Sequence, residues 1–163
     1  MIEGLRAPAM ALIAAGSLVL GANAASAASG HATFKTTFSG SAQLTSETTA
    51  SFVGAGSATR MGRITNDGQV VVTGPSDMCS GGLANINTET LTNNDGDTVT
   101  ITSDEVACPT GPGQYHGTGQ WTVTGGTGRF SGATGQGSLD GDSDFSAGTF
   151  SITLIGTLVV PGA

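Results

Sequence analysis

From Gly148 onward, Phe150, Ile152, Leu154, Gly156, Leu158 and Val160 fall on one side of an extended backbone, with Thr149, Ser151, Thr153 and Thr157 on the other. A period of two is the mark of a strand with one dry face. The same alternation sets Tyr115, Gly117, Gly119, Trp121, Val123 and Gly125 against His116, Thr118, Gln120, Thr122 and Thr124. Near the start, Phe34, Phe38, Ala42 and Leu44 oppose Thr33, Lys35 and Thr37. The pattern predicts strands over residues 31–45, 50–64, 68–74, 83–92, 97–103, 114–125, 135–142 and 147–160. Turn signals separate several of them, at Asn66-Asp67-Gly68, Asn94-Asp95-Gly96, Pro109 to Gly113 and Gly141 to Ser146. Short connections make neighbours antiparallel, and nothing after Ala27 carries a helical period. Roughly eight one-faced strands close naturally into an all-β, antiparallel barrel, which removes exposed edges. A β-sandwich is the alternative closure that periodicity leaves open.

The first 27 residues do not belong to that pattern. Arg6 precedes an apolar run from Ala9 to Leu20, followed by Ala22-Asn23-Ala24 and Ala25-Ser26-Ala27, which reads as a secretory signal peptide with two small-residue cleavage sites. Residues 28–163 then form a single extracellular domain. In an oxidising compartment Cys79 and Cys108 pair, closing a loop worth about 3–4 kcal/mol on the chain-entropy model. No further soft ligand lies near them in sequence, which disfavours zinc.

Five basic residues against twelve acidic ones give a net charge of −7. That argues against a nucleic-acid partner, whose binding rests on phosphate neutralisation, and against anionic membrane surfaces. An outer-membrane barrel would need an apolar lipid face and aromatic girdles; this chain has one Trp, one Tyr and six Phe, and its second faces are threonine and serine.

The stretch "WTVTGGTGRFSGATGQGSLDG", followed by "FSITLIGTL", resembles the C-terminal half of the allene oxide cyclase and dirigent barrel superfamily. Gly125, Gly126, Thr127, Gly128, Phe130, Ala133 and Gly135 carry the likeness, and "RMGRIT" with the two spaced cysteines is similar to small secreted bacterial members. The resemblance implies an eight-stranded antiparallel barrel, often homo-oligomeric, whose interior holds a small apolar molecule. The plant relatives guide cyclisation or radical coupling with a few interior polar groups. None of those groups matches a position here, so no catalytic residue is carried over and no cofactor is implied.

The glycine-rich stretch from Gly125 to Gly137 invites a phosphate-cradling reading. Such loops deliver the anion to a helix N-terminus, and here another strand follows, without a Walker lysine. Its glycines are expected to turn the chain, with Phe130 plugging one barrel end. Asp140, Asp142 and Asp144 have the spacing of calcium-loop ligands, but Phe145 and Ser151 stand where an EF-hand needs Gly and Glu. They can hold calcium only weakly, and no metal site is assigned. His116 is read as a surface residue, there being no Gly-x-Ser-x-Gly elbow to serve a triad. Arg60 and Arg63 flank Met61-Gly62, where a bulge could aim one of them inward to orient a carboxylate-bearing ligand. Arg60, Arg63, Tyr115, Trp121 and Phe150 are therefore the expected ligand-binding residues.

Three functions follow as expectations. The first is a secreted, non-catalytic protein that binds a small apolar ligand or serves as a structural surface component. The second is a cyclase or isomerase using the interior, with Arg60 or Arg63 and Tyr115 as polar handles. The third is a protein-interaction module. A cavity with a polar base favours the first two in their ligand-handling form; a lumen packed solid with aromatic and aliphatic side chains favours a structural role.

Overall fold

The computed structural model describes residues 32–162; the proposed leader, residues 1–27, lies outside them. Strands β1 (Ala32–Leu44), β2 (Thr49–Ala58), β3 (Gly62–Ser76), β4 (Gly82–Asn93), β5 (Thr98–Gly111), β6 (Gln114–Gly126), β7 (Thr134–Asp144) and β8 (Thr149–Val159) follow one another in sequence. Each pairs antiparallel with the next, and β1 pairs with β8, giving a closed barrel. Closure rather than a sandwich follows from β1, which is bonded on both sides: Phe38 sits opposite Gly56 of β2 and Ile152 of β8. Thr33, Lys35, Thr37 and Ser39 face outward, while Phe34, Thr36 and Phe38 are buried inside.

Three strand boundaries differ from those the sequence predicts. Asn66-Asp67-Gly68 is not a turn; β3 runs straight through it, paired with β2 and β4. The chain reverses earlier, at Thr59 to Met61, where Arg60 takes φ 70° and Gly62 φ 74°. Burial of Met61 (4 % exposed) inside the barrel end holds that turn in place. Second, β5 continues well past Ser103 to Gly111, through Glu105 and Cys108. Third, β7 extends to Asp144, so that the last hairpin turns at Phe145 to Gly148.

One half of the lumen is solid. Phe34, Phe38, Leu91, Val99, Ile101, Trp121, Leu154 and Leu158 are all buried there. Trp121 meets Phe34 edge-on at 5.6 Å and donates its indole N–H to the Ser138 carbonyl at 3.0 Å. Its cross-strand neighbour is Gly137, whose own neighbour is Gly156. Two adjacent strands thus present no side chain beside the largest residue of the core, which is how a narrow barrel accommodates an indole.

The β6–β7 connection caps this half. A single 3-10 turn, Gly128–Phe130, drops Phe130 into the barrel end, where it is 2 % exposed beside buried Ala133 and Val160. Gly128 (φ 56°) and Gly132 (φ 73°) supply the left-handed backbone on either side. The Thr127 hydroxyl accepts from the Thr98 backbone N–H at 3.1 Å, and Arg129 donates to the Arg60 carbonyl at 2.9 Å, tying the cap to both neighbouring turns. The glycine-rich stretch is therefore a corner and a plug, and the chain leaves it as a strand. Cys79, in the β3–β4 turn, is disulfide-bonded to Cys108 of β5, with Cα atoms 6.0 Å apart.

Candidate functional site

The other half of the barrel holds a cavity of about 220 Å³. Its walls are Val70 and Val72 of β3, Leu83 of β4, Ala107 of β5, Leu139 of β7 and Ile152 of β8, together with Phe52, Tyr115, Phe145 and Phe150. The four aromatic rings form a chain: Tyr115 to Phe145 at 6.1 Å, Phe145 to Phe52 at 6.3 Å, and Phe52 to Phe150 at 5.0 Å. Leu44 and Glu47, at the β1–β2 turn, are exposed at the rim.

The polar residues come from one face of β4 and from the strands beside it. Alternation along β4 points Leu83, Asn85, Asn87, Glu89, Leu91 and Asn93 the same way, and the buried Leu91 shows that this way is inward. Asn66 of β3 and Ser103 and Glu105 of β5 face the same space. Glu105 and Asn85 line the cavity. Beneath them, Asn87 Nδ2 donates to Glu105 Oε2, and Asn66 Nδ2 donates to Glu89 Oε2 at 2.8 Å. Gly117 on β6 makes the room: a Cβ there would run into the Glu105 carboxylate.

Burial sets the electrostatics. Glu89 is 6 % exposed, and loss of hydration pushes its pKa up from 4.5 to about 7, against the Asn66 hydrogen bond and helped by the like charge of Glu105. Glu105 is also raised by burial, with the Asn87 hydrogen bond and the nearby His116 pulling the other way. The amide nitrogens of Asn66 and Asn87 are committed to carboxylates, so their oxygens are left over. Asn66 Oδ1, Asn85 Oδ1, Asn87 Oδ1, Glu89 Oε1 and Ser103 Oγ are buried with no hydrogen-bond partner among the described residues. A buried polar atom left unpaired costs about 1–3 kcal/mol, so a group of them is tolerated only where function or bound solvent supplies partners.

The expected site residues divide. Tyr115 and Phe150 line the cavity. Trp121 does not, being packed in the solid half against Phe34. Arg60 and Arg63 are a correction: both are exposed at the plugged end, away from the cavity, and no bulge turns either inward. Arg63 lies on the outer face of a regular β2–β3 ladder opposite Ser57, and Arg60 sits in the tight turn. His116 is on the outer wall as expected, with Nδ1 3.0 Å from Asp142 and Nε2 3.6 Å from Asp140. The three aspartates do not converge, because Asp144 is occupied by Gln114 and the backbone N–H groups of Ser146 and Ala147. Among the described residues no group of three His, Cys, Asp or Glu side chains is arranged to hold a metal.

The sequence reading missed Asn66, Asn85, Asn87, Glu89, Ser103 and Glu105. A signal was available on β4: Asn85, Asn87 and Glu89 share parity with Leu83 and Leu91, whereas the opposite face is mostly Ala and Thr. In a chain that puts its hydroxyls outside, that parity places a carboxylate inside.

Gly117→Ala tests the geometry of the floor. The clash is with the flexible end of Glu105, so the barrel is expected to fold with a loss of about 1 kcal/mol, the worth of the displaced hydrogen bond to Asn87. Urea unfolding measures it; a loss above about 3 kcal/mol would mean that Glu105 cannot move aside.

In comparisons with known proteins, no family model matches the chain, and neither a curated protein nor a solved structure matches it.

Proposed function

We propose that this chain is a secreted binding protein for a small, mainly apolar molecule. The molecule sits in the open half of the barrel with a hydrogen-bonding end on Glu105 and Asn85. The observation that carries this reading is a cavity of about 220 Å³ with apolar walls and a polar floor of Glu105 and Asn85, beneath which further buried polar atoms lack partners. Ligand pockets have this build, mostly apolar with a few placed polar groups, and this one is small for the class. Secretion is supported by the leader-like residues 1–27 and by the Cys79–Cys108 bond. The likeness to allene oxide cyclase and dirigent barrels rests on the glycine-rich corner and agrees with the strand count, and it carries the expectation of a homo-oligomer.

Native mass spectrometry of protein taken from its own culture medium is the test. The expected spectrum shows a mature chain starting after Ala24 or Ala27 and a retained small mass. Ala107→Phe, which projects a ring into the cavity from β5, is expected to lose that mass while staying folded. A ligand-free wild-type spectrum, together with no thermal shift from a panel of small aromatic alcohols and amines, would overturn the reading.

A second reading, an isomerase or cyclase, is favoured by one observation: two buried carboxyl groups whose proton affinity burial raises, Glu89 being helped further by the charge of Glu105, which lies on the cavity floor. In that reading Glu105, rather than an arginine, is the polar handle beside Tyr115. Chemical conversion of the captured molecule, absent in Glu105→Gln, would distinguish it from plain binding.

A further inference from the structure

The geometry points to a small organic cation, a protonated amine on an apolar body, as the ligand class of the open cavity, with its ammonium group on Glu105 and Asn85 against the aromatic wall. The inference rests on the binding function proposed above and narrows it.

Among the described residues, the charged side chains that reach the cavity are both acids: Glu47 at the rim and Glu105 on the floor; Asp142 borders it through its backbone, its carboxylate turned outward to His116. That lining contains no Lys, Arg or His. A carboxylate or phosphate ligand would therefore enter a low-dielectric space facing like charge with nothing to neutralise it. Arg60 and Arg63, the residues that could have received an anion, stand at the opposite end of the barrel.

The polar floor adds a second, independent constraint. Asn85 is 7 % exposed, lines the cavity, and has its Oδ1 buried without a partner. Asn87 Nδ2 is engaged by Glu105, leaving its Oδ1 as a further acceptor just below. Asn85 brings an amide with both ends unengaged, so the group that selects the ligand is the Glu105 carboxylate, an acceptor that asks for an N–H or O–H donor. An ammonium group brings three donors and the positive charge that the cavity lining does not supply to an ionised Glu105, making the hydrogen bond charge-assisted.

The walls agree. Phe52, Tyr115, Phe145 and Phe150 surround the same space in edge-to-face contact. Ring faces attract a cation through their quadrupole, and the gain grows when water is excluded. The net charge of −7 draws cations toward the protein and repels anions. The volume limits the body to something near a single ring with a short chain.

Titration calorimetry with three matched probes tests this: 2-phenylethylamine, 2-phenylethanol and 3-phenylpropionate, at neutral pH and moderate salt. The amine is expected to bind about tenfold or more tightly than the alcohol, the worth of one charge-assisted over one neutral hydrogen bond, and the propionate not measurably. Glu105→Gln is expected to bring the amine-to-alcohol ratio to about one, the amine losing more than the alcohol. Phe145→Leu, a rim substitution that does not touch the polar floor, is expected to lower the ratio about threefold through the lost ring. Alcohol binding equal to or tighter than amine binding, measurable propionate binding, or a preference that survives Glu105→Gln would each overturn the cation assignment while leaving the binding function standing. Failure of all three probes on wild-type protein would overturn both.

Discussion

Raising the pH from 4.5 to 8 is expected to lower the unfolding free energy of this barrel by about 3 kcal/mol, chiefly through Glu89. Its pKa rises from 4.5 to about 7 on folding. Over that interval the native state keeps a proton that the unfolded chain has released, so stability falls as pH rises. The contribution is fully present below about 4.5 and is lost as the pH passes through about 7, each tenfold change in proton affinity being worth about 1.4 kcal/mol. Glu105, raised by burial, acts in the same direction. Asp144 acts the other way: Gln114 first, then the backbone N–H of Ala147 and Ser146, hold it below 3.8. Its contribution is present above 3.8 and disappears only at lower pH, outside the window. Urea unfolding from pH 4.5 to 8 measures the slope. Glu89→Gln keeps the volume and removes the titration, so it is expected to flatten most of the fall and to be the more stable protein at pH 8. An equal slope in both proteins would show that the carboxylate is hydrated in the folded state.

Phe34→Ala is expected to cost about 3–5 kcal/mol, the usual loss when a fully buried aromatic ring is cut back to a methyl group. Phe34 is completely buried and supports Trp121 edge-on. The facing glycines Gly137 and Gly156 have no side chain with which to refill the space, so the cavity stays open and the loss falls toward the upper part of that range. Trp121, the single tryptophan, reports the change directly: its emission shifts to the red as its packing loosens. Phe34→Leu keeps most of the volume and is expected to lose less than half as much. A loss below about 1 kcal/mol for Phe34→Ala would mean that the solid half of the lumen collapses around the gap.

The barrel was largely legible in the chain, because alternation over β1, β6 and β8 separates Phe, Trp and Leu from Thr and Ser without ambiguity. Phe130 as a plug was legible too, since the residues after the glycine-rich corner form a strand and leave the ring nowhere else to go. The errors came from local turn grammar. Asn66-Asp67-Gly68 is a strong hairpin signal by composition, yet ladders on both sides hold it extended and Asn66 turns inward to Glu89. The true reversal at Arg60 has no Asn or Gly at its centre; burial of Met61 decides it instead. The site was lost with that register. Glu105 stood in a segment rich in turn formers, "SDEVACPTGPG", and a carboxylate inside a barrel is a tertiary fact that no local propensity announces. The arginines misled for the same reason: their pairing in sequence says nothing about which end of the barrel they occupy.

Because every other strand pairs with its immediate successor, only the β1–β8 seam joins distant parts of the chain; Thr37 and Thr153, 116 residues apart, meet across it. Hairpins can form from nearby contacts in any order, whereas this seam carries the largest loop-closure entropy and forms when the rest is in place. Until it closes, β1 and β8 are open edges. The sequence of β8, TFSITLIGTLV, holds no charge and no proline to discourage a second chain from adding there. The step at which this molecule is most open to strand exchange or aggregation is thus the last one in its folding, when Lys35, facing outward on β1, is the one charged residue on either edge.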